Sequence, residues 1–493
     1  MIDPLGEFNM ALGSSSKPKI GTSISNQTHV VPIYIDLGTT PNLLSISENF
    51  RGLPYFALID NSAEDTDSRY SYMTASPFLV LRFSDGHTTV ETQGKTTRLI
   101  ANPFEILRSY LAKYRTSPLE TLPPFQGGAV GYLAYELGNE LETIGKRSQN
   151  DHGLPEIYLG FYDWVISRDS ITGSTWAVAT GFPESSVDKA EDRLQWIDRI
   201  LSKKPQQSSP INKNPSKIMG STFSHEKYIH AVKKVKTYIN EGDIYQVNLS
   251  QRFESTLNDE PWNLYRNLRE SSPAPYASFL EYPEVSILSA SPELYINTKM
   301  DTVSSKPIKG TRLRGNSKSE DRSLSEELRI SEKDRAENIM IVDVSRNDLG
   351  RICVPGTIKV PSMFEVEIHP TVLHLVSTVT GNLIPNIDSI EVIKAVFPGA
   401  SITGAPKIRA MQIIDSLEPV QRSIYCGGIG YIGFDDTIRF SMAIRIMIVR
   451  NNRVFIPVGG GIVYDSDPES EYQETLHKAS GAFKSLGING FEF

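Results

Sequence analysis

The sequence is poor in cysteine, with only Cys353 and Cys426 in 493 residues. Two thiols exclude a disulfide framework and a cysteine-rich metal site, and the expectation is a pair of reduced thiols in a cytoplasmic protein. Excess positive charge is also missing. The formal net charge is −8, whereas a nucleic-acid partner would want a basic surface to meet its phosphates. No run of about 18 apolar residues occurs, so there is no candidate membrane span. Met1 to Thr22 is rich in Gly and Ser, carries Asp3 and Glu7, and lacks the apolar stretch of a signal peptide. Residues 1–28 are expected to form a disordered leader, with Met10 as the natural start behind a vector-derived segment 1–9. Several catalytic signatures are absent too. Without Gly-x-Ser-x-Gly, a P-loop, His-Glu-x-x-His or metal-type cysteine spacing, hydrolase, NTPase, zincin and zinc-ribbon readings have no support. Neither cysteine has the Gly-x-Cys-x-Gly setting of a glutaminase nucleophile, so a nitrogen-transferring chain of this sequence would receive ammonia rather than make it.

What is present fits a globular protein of two or three lobes, with 39% hydrophobic and 22% charged residues. From His29 to about Ile200 the chain is strand-rich. Val30–Ile35, Tyr55–Ile59, Phe78–Phe83, Ile157–Ile166 and Thr175–Thr180 are β-branched or aromatic runs. Helical periodicity marks Pro103–Tyr114 and Ser186–Leu201. Gly127–Tyr132 reads as a closely packed backbone segment before a helix, since it lacks dinucleotide-binding spacing. Residues 202–222, rich in Pro, Gln and Ser, have linker composition. They divide an N-terminal domain, 29–201, from a second domain, 223–493. There Ser224 caps a helix ending at Gly242, and a strand Tyr245–Phe253 follows. One helical region is expected over Leu324–Leu349, and a hairpin from Ile424 through Asp435-Asp436 to Val449.

The residues that could carry chemistry each have a plain alternative. Lys309 sits in Pro307-Ile308-Lys309-Gly310-Thr311, read as a short loop presenting one amine beside exposed backbone N–H groups; most loop lysines are merely solvated. Asp467 and Pro468 are a natural N-cap and first residue of a helix, on which Glu471 and Glu474 share a face. With Glu337 on another helix they could offer oxygens to Mg²⁺, or simply complement a helix dipole. Gly459-Gly460-Gly461 would let an anionic ligand approach the backbone. His374, in an apolar strand, could be a catalyst or a satisfied core residue. Arg445, in the apolar strand Met442–Met447, would need a partner, which a ligand carboxylate could supply.

Laid end to end, these segments resemble the large subunit of the chorismate-utilising enzymes, anthranilate synthase and aminodeoxychorismate synthase component I. The resemblance runs from about residue 30. It is densest in Gly242–Gln251, Pro307–Thr311, Arg335–Leu349, His374–Ser377, Thr403–Lys407, Gly427–Tyr431 and Gly459–Glu474. It implies an α+β fold like that of anthranilate synthase component I, with two packed antiparallel sheets flanked by helices in two intimately associated lobes. By the family's motifs, Glu337 and Glu474 would bind Mg²⁺ directly, with Glu471 close by. Tyr425, Arg445, the Gly461 backbone and the Gly310-Thr311 segment would hold chorismate, Ser401 would lie near it, and His374 would act as acid, base or positioning group. Water-using relatives resemble a pattern with lysine at the position of Gln246, so hydroxyl transfer is not expected. Anthranilate synthases usually have alanine where this chain has Lys309, and the lysine form resembles aminodeoxychorismate synthase. The resemblance then implies attack of the Lys309 amine at C2 of chorismate, loss of the C4 hydroxyl, and entry of ammonia from a separate glutaminase subunit at C4. Anthranilate formation and a non-catalytic chorismate-binding subunit are the alternatives. Where anthranilate synthases carry the Leu-Leu-Glu-Ser segment of a tryptophan pocket this chain has Ala57-Leu58-Ile59-Asp60-Asn61-Ser62, with Ser62 and Arg69-Tyr70-Ser71 compatible with tryptophan in the N-terminal lobe or with a purely structural pocket.

Overall fold

A computed structural model describes residues 29–63, 68–145, 147–203, 216–370 and 372–488. The leader 1–28 and most of the linker, 204–215, lie outside the described residues. The expected strands and helices largely form where the patterns placed them. Apolar residues alternating along 3.6-residue turns give helices Pro103–Lys113, Val187–Leu201 and His225–Asn240, the last capped by the Ser224 side chain accepting from the Lys227 N–H.

Two large antiparallel sheets make the body. The first runs in the order Ile33–Thr39, Ser174–Ala179, Trp164–Asp169, Tyr70–Thr74, Phe56–Asp60, Tyr276–Tyr282, Val285–Ser291, Ile446–Arg450, Arg453–Ile462, Gln246–Thr256 and Ile218–Ser221. The second begins with Ile308–Leu313, Val372–Asn382, Thr302–Ser305, Leu294–Lys299, Ile438–Met442 and Gly428–Gly433, then continues into Gly128–Leu133, Ile157–Tyr162 and Leu79–Ser84. Each sheet therefore takes strands from both sides of residues 202–222. One large core joins the sheets, with Tyr72, Val165 and Leu280 of the first meeting Val130, Leu159 and Ile429 of the second. A second core lies between the first sheet and helices Val187–Leu201, Pro261–Ser271 and Pro468–Ser485. Each large apolar side chain so buried contributes on the order of 2 kcal/mol to folding.

Four local expectations are corrected. Gly128–Leu133 is itself a strand, paired on both sides, and a 3₁₀ turn Tyr135–Glu140 follows in place of a helix. The region Leu324–Leu349 is two helices, Lys318–Ile330 and Glu332–Gly350, broken at Ser331. Lys309 lies not in a loop but in the edge strand Ile308–Leu313, whose register shifts between Ile308 and Thr311 around Gly310 at φ +84°. Such a bulge re-aims a side chain, and a residue with a Cβ would be strained there. Arg445 lies between strands, at φ +54°, where the chain leaves Ile438–Met442 in one sheet and enters Ile446–Arg450 in the other.

Candidate active site

The site forms where the edge of the second sheet faces the end of the first. Two helix starts aim carboxylates at it. Ser331 accepts from the Asp334 N–H and starts the helix that carries Glu337 on its second turn. Asp467 accepts from the Ser470 N–H, and Pro468 occupies a position whose N–H would have no helical partner anyway. That helix brings Glu471 and Glu474 over the Gly459–Gly461 strand end. The strand Gln246–Thr256 pairs with the same glycines, Gln246 lying one residue before the Val247 to Ile462 pair.

These elements enclose a cavity of about 330 Å³. Every residue given a catalytic, substrate-binding or metal-binding role in the sequence lines it. The bulged strand contributes Lys309, Gly310 and Thr311, and its partner strand contributes His374. Ser401, Tyr425, Arg445 and Gly461 line it as well, with Glu337, Glu471 and Glu474 completing the set. Lys309, Glu337 and Arg445 are half-buried by surface area because their tips face this cavity, yet protein atoms crowd around them. Desolvation therefore dominates their titration.

The Lys309 amine is held below the usual lysine range by burial, against the opposing pull of Glu337, with Lys478 pushing the same way as burial. A Cβ on Gly461 would stand 3.1 Å from Lys309 Nζ and would collide with the Gln246 side chain. The glycine thus leaves room for both groups. His374 is pushed well below the usual imidazole range by burial, then by His369, Arg445 and Lys478, and its Nδ1 lies 3.0 Å from Thr311 Oγ1. Arg445 Nη1 donates to the Lys478 carbonyl at 2.8 Å and has no salt bridge among the described residues, which leaves its charge for a ligand carboxylate.

Glu337 and Glu471 are raised by burial, whereas Glu474 is lowered by the ammonium of Lys478, 2.6 Å away. Among the described residues no group of three His, Cys, Asp or Glu side chains is assembled as a metal site. The residues nevertheless fit a hard divalent ion that keeps water and substrate ligands. Glu471 accepts from Ser466 Oγ at 2.6 Å through Oε1, while its buried Oε2 has no partner among the described residues. A Cβ on Gly460 would stand 3.2 Å from Glu471 Oε2 and 3.7 Å from Glu474 Oε1, so glycine keeps the space before both carboxylates open. Glu474, expected to ligate directly, also pairs with Lys478.

Three residues of the cavity escaped sequence reasoning. Glu293 is buried, accepts from Ser401 Oγ at 2.6 Å, and is pushed up to about 7 by burial, with Ser401 and then Lys309 opposing. Nothing in Ser291-Pro292-Glu293 advertises it, because its approach to Lys309 is made by the sheet. Lys478 stands four residues after Glu474 on one helix face, a spacing that could have pointed to it; it also donates to the Gly459 carbonyl at 2.9 Å. Asn248 lines the cavity with its buried side-chain N–H group unpartnered.

The segment expected to be compatible with tryptophan carries side-chain contacts of its own. Arg69 pairs with Asp169, Ser71 accepts from the Asn61 N–H, and Ser62 donates to the Ala274 carbonyl. A small space bordered by Asp60, Tyr72, Ser278 and Arg439 lies beside this segment. Both cysteines are buried and free. Among the described residues no helix is long and apolar enough to cross a membrane.

A family model described as chorismate binding enzyme matches residues 64–484. Anthranilate synthase component 1 of Aquifex aeolicus is 34% identical over 475 residues, covering 94% of this chain and 96% of that protein. Aminodeoxychorismate synthase component 1 of Escherichia coli is 37% identical over 437 residues, covering 88% and 94%. Among solved structures, anthranilate synthase component I from Streptococcus pneumoniae superposes with a TM-score of 0.76 at 31% identity, over 84% of this chain and 92% of that one.

Proposed function

The chain belongs to the chorismate-binding enzymes, and we propose that within this family it is an aminodeoxychorismate synthase component I. It would convert chorismate and ammonia, the latter supplied by a separate glutaminase component, to 4-amino-4-deoxychorismate. The observation that carries this reading is Lys309, an amine half-buried in the cavity and depressed in pKa by its surroundings. A depressed pKa supplies the neutral nucleophile that an exposed lysine lacks at neutral pH.

In this reading Arg445 and the Gly310-Thr311 and Gly461 backbones hold the carboxylates of chorismate, with Tyr425 and Ser401 bordering the ring. The Lys309 nitrogen bonds to C2, and the double bond shifts as the C4–O bond breaks. Glu293, poised near neutrality, donates the proton that lets the hydroxyl leave as water. Ammonia then bonds to C4, and the C2–N bond to Lys309 breaks as the double bond returns. His374, held neutral, positions the substrate through its tie to Thr311. Mg²⁺, when bound by Glu337 and Glu474 with Glu471 close by, would neutralise charge on substrate oxygens.

The test is product identification by mass spectrometry after incubation with chorismate, Mg²⁺ and ammonium. Wild type is expected to yield 4-amino-4-deoxychorismate without pyruvate, and Lys309→Ala to lose at least roughly 100-fold of that activity. Relatives named anthranilate synthase make anthranilate formation the second reading. Fluorescent anthranilate with pyruvate from the wild type would favour it, and undiminished turnover in Lys309→Ala would remove the covalent role.

A further inference from the structure

Behind Glu293 lies a second, smaller chamber of about 20 Å³. Glu293 and Ser401 line both spaces, so the hydrogen bond between them at 2.6 Å stands in the partition. The chamber's other polar walls include Ser305, Ser345, the carboxylate of Asp348, and Tyr295, whose hydroxyl donates to the Val396 carbonyl. At its outer side the Lys407 ammonium donates to Asp348 at 2.7 Å and to the Val396 carbonyl at 3.3 Å; both acceptor residues line the chamber. The Lys407 side chain is 16% exposed, and Ser305 in the chamber wall is also part-exposed. The volume suits one water-sized molecule, and a site of that size needs two to four polar partners, which these walls supply.

We propose that this chamber is a subsite for ammonia, the position from which the nitrogen nucleophile enters the chorismate cavity past Glu293 and Ser401. The proposal rests on the aminating function above and assigns the nitrogen an approach distinct from the substrate mouth. The chemistry of the walls favours it. Acceptor oxygens of the Glu293 and Asp348 carboxyl groups and of three serine hydroxyls match the N–H donors of ammonia or ammonium, while a carboxylate substrate would be repelled. A nitrogen arriving as ammonium breaks one N–H bond as Glu293 takes the proton, and ammonia moves on. Glu293 then returns that proton to the departing C4 hydroxyl, forming the second O–H bond of water. Chorismate plus ammonium thus becomes protonated aminodeoxychorismate plus water, and Glu293 ends as it began.

The experiment measures KM for ammonium chloride and KM for chorismate in the full chain with Mg²⁺. Two variants act on the chamber in different ways. Ser345→Val fills it from the helix, and Asp348→Asn removes its charge while keeping an acceptor for Lys407. Either folded variant is expected to raise KM for ammonium about tenfold while KM for chorismate changes less than about twofold. An ammonium KM within about twofold of wild type in a variant that melts normally would overturn the proposal, since a chamber holding only water leaves that constant unmoved. Two variants of opposite character guard against one failing to fold. Wild type itself making no aminated product would strike the proposed function, a failure visible before any variant is compared.

Discussion

At the scale of single residues, the site depends on side chains that water would hold differently. Lys309 and Glu293 are displaced toward neutrality from opposite directions, both by burial first. For Glu293 this has a consequence for stability. Its folded value, about 7, lies above that of the unfolded chain. Its contribution to stability is therefore fully present below the unfolded pKa and is lost as pH rises through about 7. The upper bound on that loss is about 3 kcal/mol. Glu293→Gln keeps an acceptor for Ser401 without the charge. Its melting temperature relative to wild type should therefore rise between about pH 5 and about pH 8, while turnover of chorismate falls by roughly 100-fold for want of an acid. Thermal melts across that range, with parallel rate measurements, check both halves; a pH-independent difference in melting temperature would mean the carboxyl is not neutral in the fold. Glu293 also marks where sequence reading stops. Glu471, Glu474 and Lys478 could be related to one another by helical spacing alone, whereas Glu293 meets Ser401, 108 residues away, only through the arrangement of two strands and a turn.

At the scale of elements, caps and bulges aim the chemistry. Helix starts at Ser224 and Asp467 were legible because a cap is a local event, one side-chain oxygen meeting an N–H three residues on. The start at Ser331 was not. Residues 318–350 have no Gly or Pro punctuation before Gly350, and the break is enforced by packing: Leu328 of one helix joins Leu373 and Leu375, while Asn338 of the next donates to the Leu375 carbonyl and accepts from Ser377. The bulge at Gly310 was hidden for a similar reason, since Pro-Ile-Lys-Gly-Thr reads as a turn until a partner strand is present. Removing the cap at Ser331 should loosen the helix that carries Glu337. Ser331→Ala is expected to lower the unfolding free energy by about 1 kcal/mol. Urea titration measures this directly, and an unchanged midpoint with an unchanged slope would show that tertiary contacts alone hold that helix start.

At the scale of the whole molecule, the linker composition at 202–222 suggested two domains, although Ile218–Ser221 within it is an edge strand of the first sheet. The sheets do not respect that division. Gly128–Leu133 pairs with Gly428–Gly433 on one side and Ile157–Tyr162 on the other, and Phe56–Asp60 pairs with Tyr276–Tyr282 on one side and Tyr70–Thr74 on the other. Two main-chain ladders and the core shared by Tyr72, Val130, Leu280 and Ile429 therefore cross between the sequence halves. Pairing partners of this kind are invisible to local periodicity, because register between distant strands is set by burial and not by spacing. Cutting the chain within 204–215, by an inserted protease site, should accordingly leave the two pieces together through gel filtration, with chorismate turnover retained. Produced alone, residues 216–493 would expose the edges of Gly428–Gly433 and Tyr276–Tyr282 along with the apolar faces beside them. Exposed apolar strand edges template aggregation, so that fragment is expected to be insoluble or to lack the near-ultraviolet circular dichroism of a packed core. Its recovery as a folded, active monomer would show that the C-terminal half holds its part of each sheet without the N-terminal strands.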